Sequence, residues 1–248
     1  MSIVSFKDVK MNKEQKCEFL FSMIHRLIFH HVFWFKEVEH QLGFEGALEV
    51  LDNVLNQAKK VHTNRLNKDL GIEFKESIPQ KLLDLEDEKL EAMMETISKM
   101  WLANDGLWFL SVENLIDLND AKRCNDTCWC WFSPFEAWTI KRILNLGENP
   151  GLKGLEKALK LRMYAFLNVQ EIKWVHDNIL EFYMKKCRVQ SARKRKGLPD
   201  YPCKSAGLVE YRRFAYGIDK NIKTECIGCP PDEHPDDWVC AWRFLLKK

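Results

Sequence analysis

Closely spaced cysteines constrain how the last quarter of this chain can fold. Five of the nine cysteines lie between positions 187 and 248, and three follow the pattern Cys226-x2-Cys229-x10-Cys240. Two thiols separated by two residues fit on one tight turn, and Gly228 between them can adopt the positive φ that lets the turn close. More distant cysteines can complete a tetrahedral thiolate site. The spacing therefore predicts a metal site in this part of the chain.

The predicted metal ligands are four thiolates, with three further residues as alternatives. The four are Cys203, Cys226, Cys229 and Cys240, and the alternatives are Cys187, Glu210 and His234. Thiolates favour zinc or an iron–sulfur cluster over hard cations, and the spacing alone does not choose between the two. Free cysteine is also a common core residue. So many cysteines in a short, polar, proline-rich segment favour a metal, with zinc as the expected cofactor and an iron–sulfur cluster as the alternative.

Charge and hydropathy exclude several classes of partner. A net charge of +2 produces no global field that would attract nucleic acid or an anionic membrane. The basic run at positions 193–196 has no interleaved aromatic side chains for base stacking, so we expect no nucleic-acid partner. The most apolar stretch, Phe19 to Phe35, is interrupted by charged and histidine residues and predicts no membrane span. A polar N-terminus predicts a cytoplasmic protein with reduced thiols.

An internal repeat organises the N-terminal part. Positions 33–47 align with positions 107–121, so that Trp34 matches Trp108 and Val38 matches Val112. Each copy predicts an amphipathic helix, a break near Gly43 or Asp117, and a second helix. We therefore expect a duplicated helical hairpin, with repeats at about 20–70 and 95–147, and a further helix over Lys81 to Trp101 between them.

A change of pattern near residue 150 predicts a second region. Glycine and proline at positions 147–151 mark a breaker, which divides the chain into regions 1–150 and 151–248. The second region begins with a predicted long helix over Leu152 to Lys186. Short alternating or apolar stretches then predict strands, at Cys187 to Ala192, Ile222 to Ile227 and Trp238 to Leu246. The predicted fold class is α+β, with a mostly helical N-terminal region and a small antiparallel sheet that carries the cysteines.

Several of these segments resemble a known protein family. They are positions 187–198, the pairs Cys203-Lys204 and Glu210-Tyr211, positions 226–244, and the helical strings 105–109 and 112–113. The chain resembles a prokaryotic "cytosolic protein" family of unknown function. It is more distantly similar to aminothiazoline-carboxylate hydrolase-like proteins and to vinyl-reductase-type small-molecule-binding domains. That distant similarity implies a zinc ion that braces a hydrophobic ligand pocket, held by Cys203, Cys226 or Cys229, Cys240 and a carboxylate such as Glu210.

The leading functional hypothesis is a metal-binding protein that holds a small organic ligand in an aromatic pocket. The candidate ligand-binding residues are Trp108, Arg188, Arg193 and Tyr211. One alternative is a hydrolase acting on a C–N or C–S bond of a small heterocycle, with His234 or Glu113 as the catalytic proton carrier. Another alternative is an iron–sulfur protein of anaerobic metabolism. The sequence does not specify the oligomeric state.

Overall fold

The chain folds as two compact α+β units. A computed structural model describes residues 12–76, 78–195, 197 and 200–247. The compact units are Met1–Asp84 and Leu85–Lys248. Helices and small antiparallel sheets confirm the predicted α+β class. Among the helices formed by these described residues, none is both long enough and apolar enough to cross a bilayer.

One interrupted helix dominates the first unit. Helix α1 spans Lys13–Leu70, and its backbone departs from helical geometry at Gly43, where φ is +75° and ψ is 170°. A residue with a Cβ rarely adopts such a φ, which explains why glycine stands at this break. The break that the repeat predicts near Gly43 is confirmed. Two short strands, β1 (Phe74–Lys75) and β2 (Ile78–Pro79), and helix α2 (Gln80–Leu83) complete the unit.

Two long helices open the second unit. Helix α3 spans Asp87–Leu115, and helix α4 spans Leu118–Ile143. Asp117 separates them, and its carboxylate accepts a hydrogen bond of 2.7 Å from the backbone N–H of Asp120. This N-cap satisfies a backbone donor that the first turn of α4 would otherwise leave free. The predicted break at Asp117 is therefore confirmed, and the predicted helix that starts at Lys81 corresponds to α2 and α3.

The second unit then forms an antiparallel sheet flanked by helices. Its remaining elements are α5 (Gly151–Leu159), a 3-10 helix (Met163–Phe166), β3 (Val169–His176), β4 (Ile179–Lys186), α6 (Arg188–Arg195), α7 (Lys204–Ile218), β5 (Ile222–Gly228) and β6 (Cys240–Leu246). The strand order is β3-β4-β6-β5, and all neighbouring strands are antiparallel. The strands expected at Ile222 to Ile227 and Trp238 to Leu246 correspond to β5 and β6.

Two predictions for this region are wrong. The segment expected to form one helix from Leu152 to Lys186 contains α5, the 3-10 helix and the β3–β4 hairpin. Along β4 the buried side chains Leu180, Phe182 and Met184 alternate with side chains on the other face of the sheet, which is strand periodicity. The segment expected to form a strand from Cys187 to Ala192 instead forms helix α6 from Arg188 onward.

Side chains from both sides of position 150 contribute to one core in the second unit. Ile140 of α4 and Leu152 of α5 belong to the same buried cluster, and the backbone N–H of Gly151 donates to Asp219 Oδ2 at 2.9 Å. The division into regions 1–150 and 151–248 stays a prediction. Helix α7 lies very close to the sheet at Gly207, because a Cβ there would lie 2.6 Å from Trp242 Cζ2.

A buried arginine links three elements of the second unit. Arg162, at the start of the 3-10 helix, donates from Nε to Glu136 Oε2 of α4 at 2.8 Å. Its Nη1 lies 2.7 Å from Glu210 Oε1 of α7, an ion contact without the angle of a hydrogen bond. The guanidinium carbon lies 4.5 Å from the centre of the Phe214 ring and 5.4 Å from that of Tyr211. All three charged side chains are almost fully buried.

The charges of this group are mutually dependent. Burial works against the charged form of Arg162, but the two carboxylates outweigh it and raise the pKa of the guanidinium above its ordinary value. Burial raises the pKa of Glu210, and the contact with Arg162 opposes that rise. Removing Arg162 would leave two buried carboxylates without their cation, which is far more costly than losing a surface pair.

We predict that Arg162→Met destabilises the protein by about 3–5 kcal/mol, since two carboxylates would lose their buried cation. Urea denaturation of wild type and variant measures the change. The matched control is Lys223→Met, which removes an exposed ion pair of 2.8 Å with Glu225. That control should cost no more than about 1 kcal/mol. Equal losses of unfolding free energy in the two variants would show that the buried network stabilises the protein no more than an exposed ion pair does.

Candidate functional site

The fold brings the C-terminal cysteines to one end of the sheet. Cys203 occupies the N-cap position of α7, and Cys187 lies between β4 and α6. Cys226 is on β5, Cys229 directly follows that strand, and Cys240 begins β6. None of the described C-terminal cysteines forms a disulfide. Antiparallel pairing of β5 with β6 is what returns the late cysteine to the neighbourhood of the Cys-x-x-Cys pair.

Two of these thiols form a hydrogen-bonded pair. Cys229 donates its S–H to Cys203 Sγ at 3.9 Å, and Gln190 donates from Nε2 to the same sulfur at 3.4 Å. The thiol of Cys229 lowers the pKa of Cys203 below its ordinary value, and Gln190 lowers it further. Donation to Cys203 and contact with Cys240 raise the pKa of Cys229. The arrangement therefore favours a thiolate on Cys203 and a protonated thiol on Cys229.

Burial favours the neutral form of two further thiols in this group, those of Cys187 and Cys226. Burial raises the pKa of Cys187 to about 12 and also raises the pKa of Cys226. Across the described ranges, no group of three or more His, Cys, Asp or Glu side chains has the arrangement needed to hold a metal ion. The structure thus brings Cys203 and Cys229 together as a thiol pair, without a formed set of four predicted ligands.

The alternative ligands have partners of their own. Glu210 faces Arg162 in the buried ion network described above. His234 lies in the β5–β6 connection, where Nε2 is 3.3 Å from Asp200 Oδ2 and Nδ1 is 2.9 Å from the carbonyl oxygen of Pro235. The contact with the Pro235 carbonyl oxygen is the main cause of a raised pKa at His234, and the contact with Asp200 raises that pKa further. No hydrogen bond joins either residue to a cysteine among the described side chains.

The predicted polar ligand-binding residues are dispersed. The backbone N–H of Arg188 donates to Asn168 Oδ1 at 2.8 Å, and the guanidinium of Arg193 lies over the Tyr201 ring at 5.9 Å. Tyr211 is buried and stacks on Trp242, with ring centres 4.7 Å apart. Glu113, the other candidate proton carrier, makes no hydrogen bond or ion pair with another described residue.

A separate pocket lies between α3 and α4. Its volume is about 310 Å³. We call it the aromatic pocket, because five of its lining side chains are aromatic: Trp101, Trp108, Phe109, Trp129 and Phe132. The remaining lining residues are Asn104, Asp105, Val112, Ala121, Cys124, Asn125 and Cys128. Of the four predicted ligand-binding residues, only Trp108 lines this pocket.

The rings of the aromatic pocket support one another. Trp101 stacks on Phe132 with ring centres 5.7 Å apart and meets Trp129 edge-on at 5.9 Å. Trp129 in turn stacks on Tyr164 at 5.5 Å. Such aromatic contacts hold ring planes in defined orientations, so the wall of the pocket is rigid where these rings form it.

The sequence reasoning missed the polar group of this pocket. Asp105 is half-buried on α3, and burial raises the pKa of its carboxyl. Burial also raises the pKa of Cys128 on the facing helix. Asp105 lies one helical turn before Trp108 and Phe109, so the spacing of an acidic residue from two aromatic residues on one helix was the available signal.

Comparison with known proteins identifies one family. A family of unknown function (DUF6125) matches residues 81–246, which is more than half of the chain and includes α3 to β6. The expected membership in a family of unknown function is therefore confirmed. No curated protein matches the chain, and neither does any solved structure. The more distant similarity to hydrolase-like and vinyl-reductase-type domains is thus without support from these comparisons.

We predict that iodoacetamide modifies Cys203 before Cys187 in protein treated with a chelator at neutral pH. The lowered pKa of Cys203 gives it more thiolate, which is the reactive form, whereas the pKa of Cys187 is about 12. Peptide mass spectrometry over time measures both rates. Cys229→Ala removes the S–H donor and should slow the reaction of Cys203 about fivefold. Faster modification of Cys187, or no effect of Cys229→Ala, would contradict the thiolate assignment.

Proposed function

This chain belongs to a family of unknown function (DUF6125), and we propose from the geometry of its own residues that it binds a small organic molecule in the aromatic pocket. The observation that carries the proposal is a cavity of about 310 Å³ with five aromatic side chains and few polar groups. Small-molecule sites have this character: concave, mostly apolar, and with a small number of polar groups that orient the ligand. The volume suits a ligand of one or two rings.

The exposure of Trp108 supports the same proposal. Its side chain is 60% exposed although it lies beside Trp101 and Phe109 in the pocket wall. A large apolar ring left in water is unfavourable by the area rule of about 25 cal/mol per Å². A flat ligand that stacks on this ring would remove both surfaces from water. Trp108, one of the candidate ligand-binding residues from the sequence, is therefore assigned as the ligand-stacking residue.

A structural zinc ion at the cysteines is a second part of the proposal. Thiolates around one zinc ion stand about 3.8 Å apart, given Zn–S bonds of about 2.3 Å in a tetrahedron. The separation of 3.9 Å between the sulfurs of Cys203 and Cys229 is compatible with that spacing. Cys240 and Cys226 would supply the remaining ligands. Zinc would fix the N-terminus of α7 to the β5–β6 end of the sheet, and an iron–sulfur cluster is the alternative occupant.

The hydrolase alternative has less support. It requires a proton carrier beside an activated thiol or an open metal position. Among the described contacts, His234 is held by Asp200 and Pro235, and neither His234 nor Glu113 is hydrogen-bonded to a cysteine. Binding rather than catalysis is therefore the proposed activity. A cytoplasmic location stays a prediction from the sequence.

We predict that Trp108→Ala weakens the binding of indole, used as a flat apolar probe, by about tenfold through loss of ring stacking. Isothermal titration calorimetry measures the dissociation constant. The control is Trp131→Ala on α4, a half-exposed ring outside the pocket whose neighbour is Arg213. That variant should bind indole as the wild type does. Absence of indole binding to wild type, or equal losses in the two variants, would overturn the pocket as the binding site.

We predict about one zinc ion per chain in protein purified anaerobically without a metal-affinity tag. Elemental analysis with an absorption spectrum measures metal identity and content. Iron together with broad visible absorbance would identify the cofactor as an iron–sulfur cluster instead of zinc. A metal-free, folded protein would show that zinc is wrong and that the cysteines act as the thiol pair. Cys124→Ser, a change at an exposed cysteine far from the C-terminal group in sequence, serves as the control for metal content.

A further inference from the structure

The aromatic pocket contains one acidic group and no basic one. Asp105 contributes the only carboxylate among the lining residues that the structure describes, and no Lys, Arg or His side chain lines the pocket. Asp105 makes no hydrogen bond or ion pair with another described residue. A desolvated carboxylate without a partner is costly. A ligand that brings a positive charge would remove that cost.

The charged and titratable neighbours of Asp105 reinforce this electrostatic character. The groups that feel its charge are Cys128 on α4, Tyr164 on the 3-10 helix, Tyr201 before α7 and Glu210 on α7. Each of these is an acid or a neutral group. Two nearby cations are paired with carboxylates: Arg162, 5.9 Å from the Trp129 ring, faces Glu136 and Glu210, and Lys122, over the Tyr201 ring, faces Asp126. Burial raises the pKa of Asp105. The potential in this part of the pocket therefore favours a cation.

The aromatic walls select an organic cation over a metal ion. Faces of Trp and Phe rings are electron-rich and attract ammonium groups within about 6 Å of the ring centre. Divalent metal ions instead require several oxygen ligands, and one carboxylate beside two Asn side chains is a poor set. A neutral apolar ligand would leave Asp105 still further desolvated. An anion would be repelled by it.

We propose that the aromatic pocket binds a small organic ammonium ion, with Asp105 as its counter-ion and the Trp101, Trp108 and Trp129 rings around its cationic group. The proposal rests on the proposed function, because it names the ligand class of the same pocket. Asp105 orients the ligand through charge, and the rings provide dispersion and cation–π attraction. Primary, tertiary and quaternary ammonium groups all fit this description. Substitution on nitrogen determines whether Asp105 also accepts an N–H hydrogen bond.

The test compares two probes of the same shape. Choline carries a trimethylammonium group, and 3,3-dimethylbutan-1-ol is its neutral isostere with carbon in place of nitrogen. Binding is followed by NMR titration near neutral pH, through the side-chain N–H signals of isotope-labelled tryptophans. Choline should bind wild-type protein about tenfold or more tightly than the alcohol. Asp105→Asn should remove this preference and leave the affinity for the alcohol unchanged.

A matched variant controls for the change of net charge. Glu91→Gln alters the same net charge on the same helix, at an exposed position outside the pocket, and should leave both affinities unchanged. Wild-type protein also allows a test without substitution. As pH falls through the raised pKa of Asp105, the carboxyl becomes neutral, so choline affinity should fall while alcohol affinity stays constant. This titration remains decisive even where a variant folds poorly.

Thermal stability separates a binding role from a purely structural one. A carboxyl with a raised pKa in the folded state destabilises that state when ionised, so Asp105→Asn should raise the thermal midpoint at neutral pH. Gain of stability with loss of choline binding is the expected combination. Lower stability of Asp105→Asn with unchanged choline affinity would overturn the proposal, since it would assign Asp105 to the fold.

The outcomes also separate this proposal from the proposed function. Equal affinity of wild type for choline and the alcohol overturns the organic cation as ligand, but it leaves small-molecule binding in place. Absence of binding by both probes overturns the organic cation as well. Indole binding and its loss in Trp108→Ala then decide independently whether the pocket binds small molecules. Indole binding without choline binding would thus retain the pocket and reject the ligand class.

Discussion

The buried ion network around Arg162 is the interaction on which the second unit depends. It joins α4 through Glu136, the 3-10 helix through Arg162 itself, and α7 through Glu210. Loss of the arginine would leave two carboxylates in a medium that cannot solvate them. The rings of Trp129, Tyr211 and Phe214 also lie within 5.9 Å of the guanidinium carbon, so the network fixes the relative positions of three elements that are distant in sequence.

Both candidate sites inherit their geometry from this network. Trp129 lies 5.9 Å from the guanidinium of Arg162 and also lines the aromatic pocket, so the position of α4 orients one pocket wall. Glu210 is on α7, the helix whose N-cap is Cys203. The ion contacts join α7 to α4 and the 3-10 helix, while the close approach of Gly207 to Trp242 and the stacking of Tyr211 on Trp242 hold α7 against the sheet. A loss of folding in this core would affect binding and thiol chemistry together.

Local patterns were predictable where a single residue imposes a backbone constraint. Gly43 marks a helix break because glycine, without a Cβ, readily adopts a positive φ. Asp117 marks the other break because its carboxylate can cap the helix that follows. The β3–β4 hairpin was not predicted, because the turn at Asp177-Asn178 is short and the flanking residues are mixed in polarity. Apolar residues in Leu152 to Lys186 satisfied a helical period as well as a strand period, and only strand pairing distinguishes the two.

The sequence by itself determined that this chain has a helical N-terminal part, a cysteine-rich end and an internal repeat in which Trp108 matches Trp34. Those features are properties of composition, spacing and local backbone preference. Tertiary structure alone decided that Asp105 faces an aromatic pocket, that Cys203 pairs with Cys229, and that Glu210 contacts Arg162. Such contacts join residues far apart in the chain, and their energies arise from burial, which no local pattern specifies.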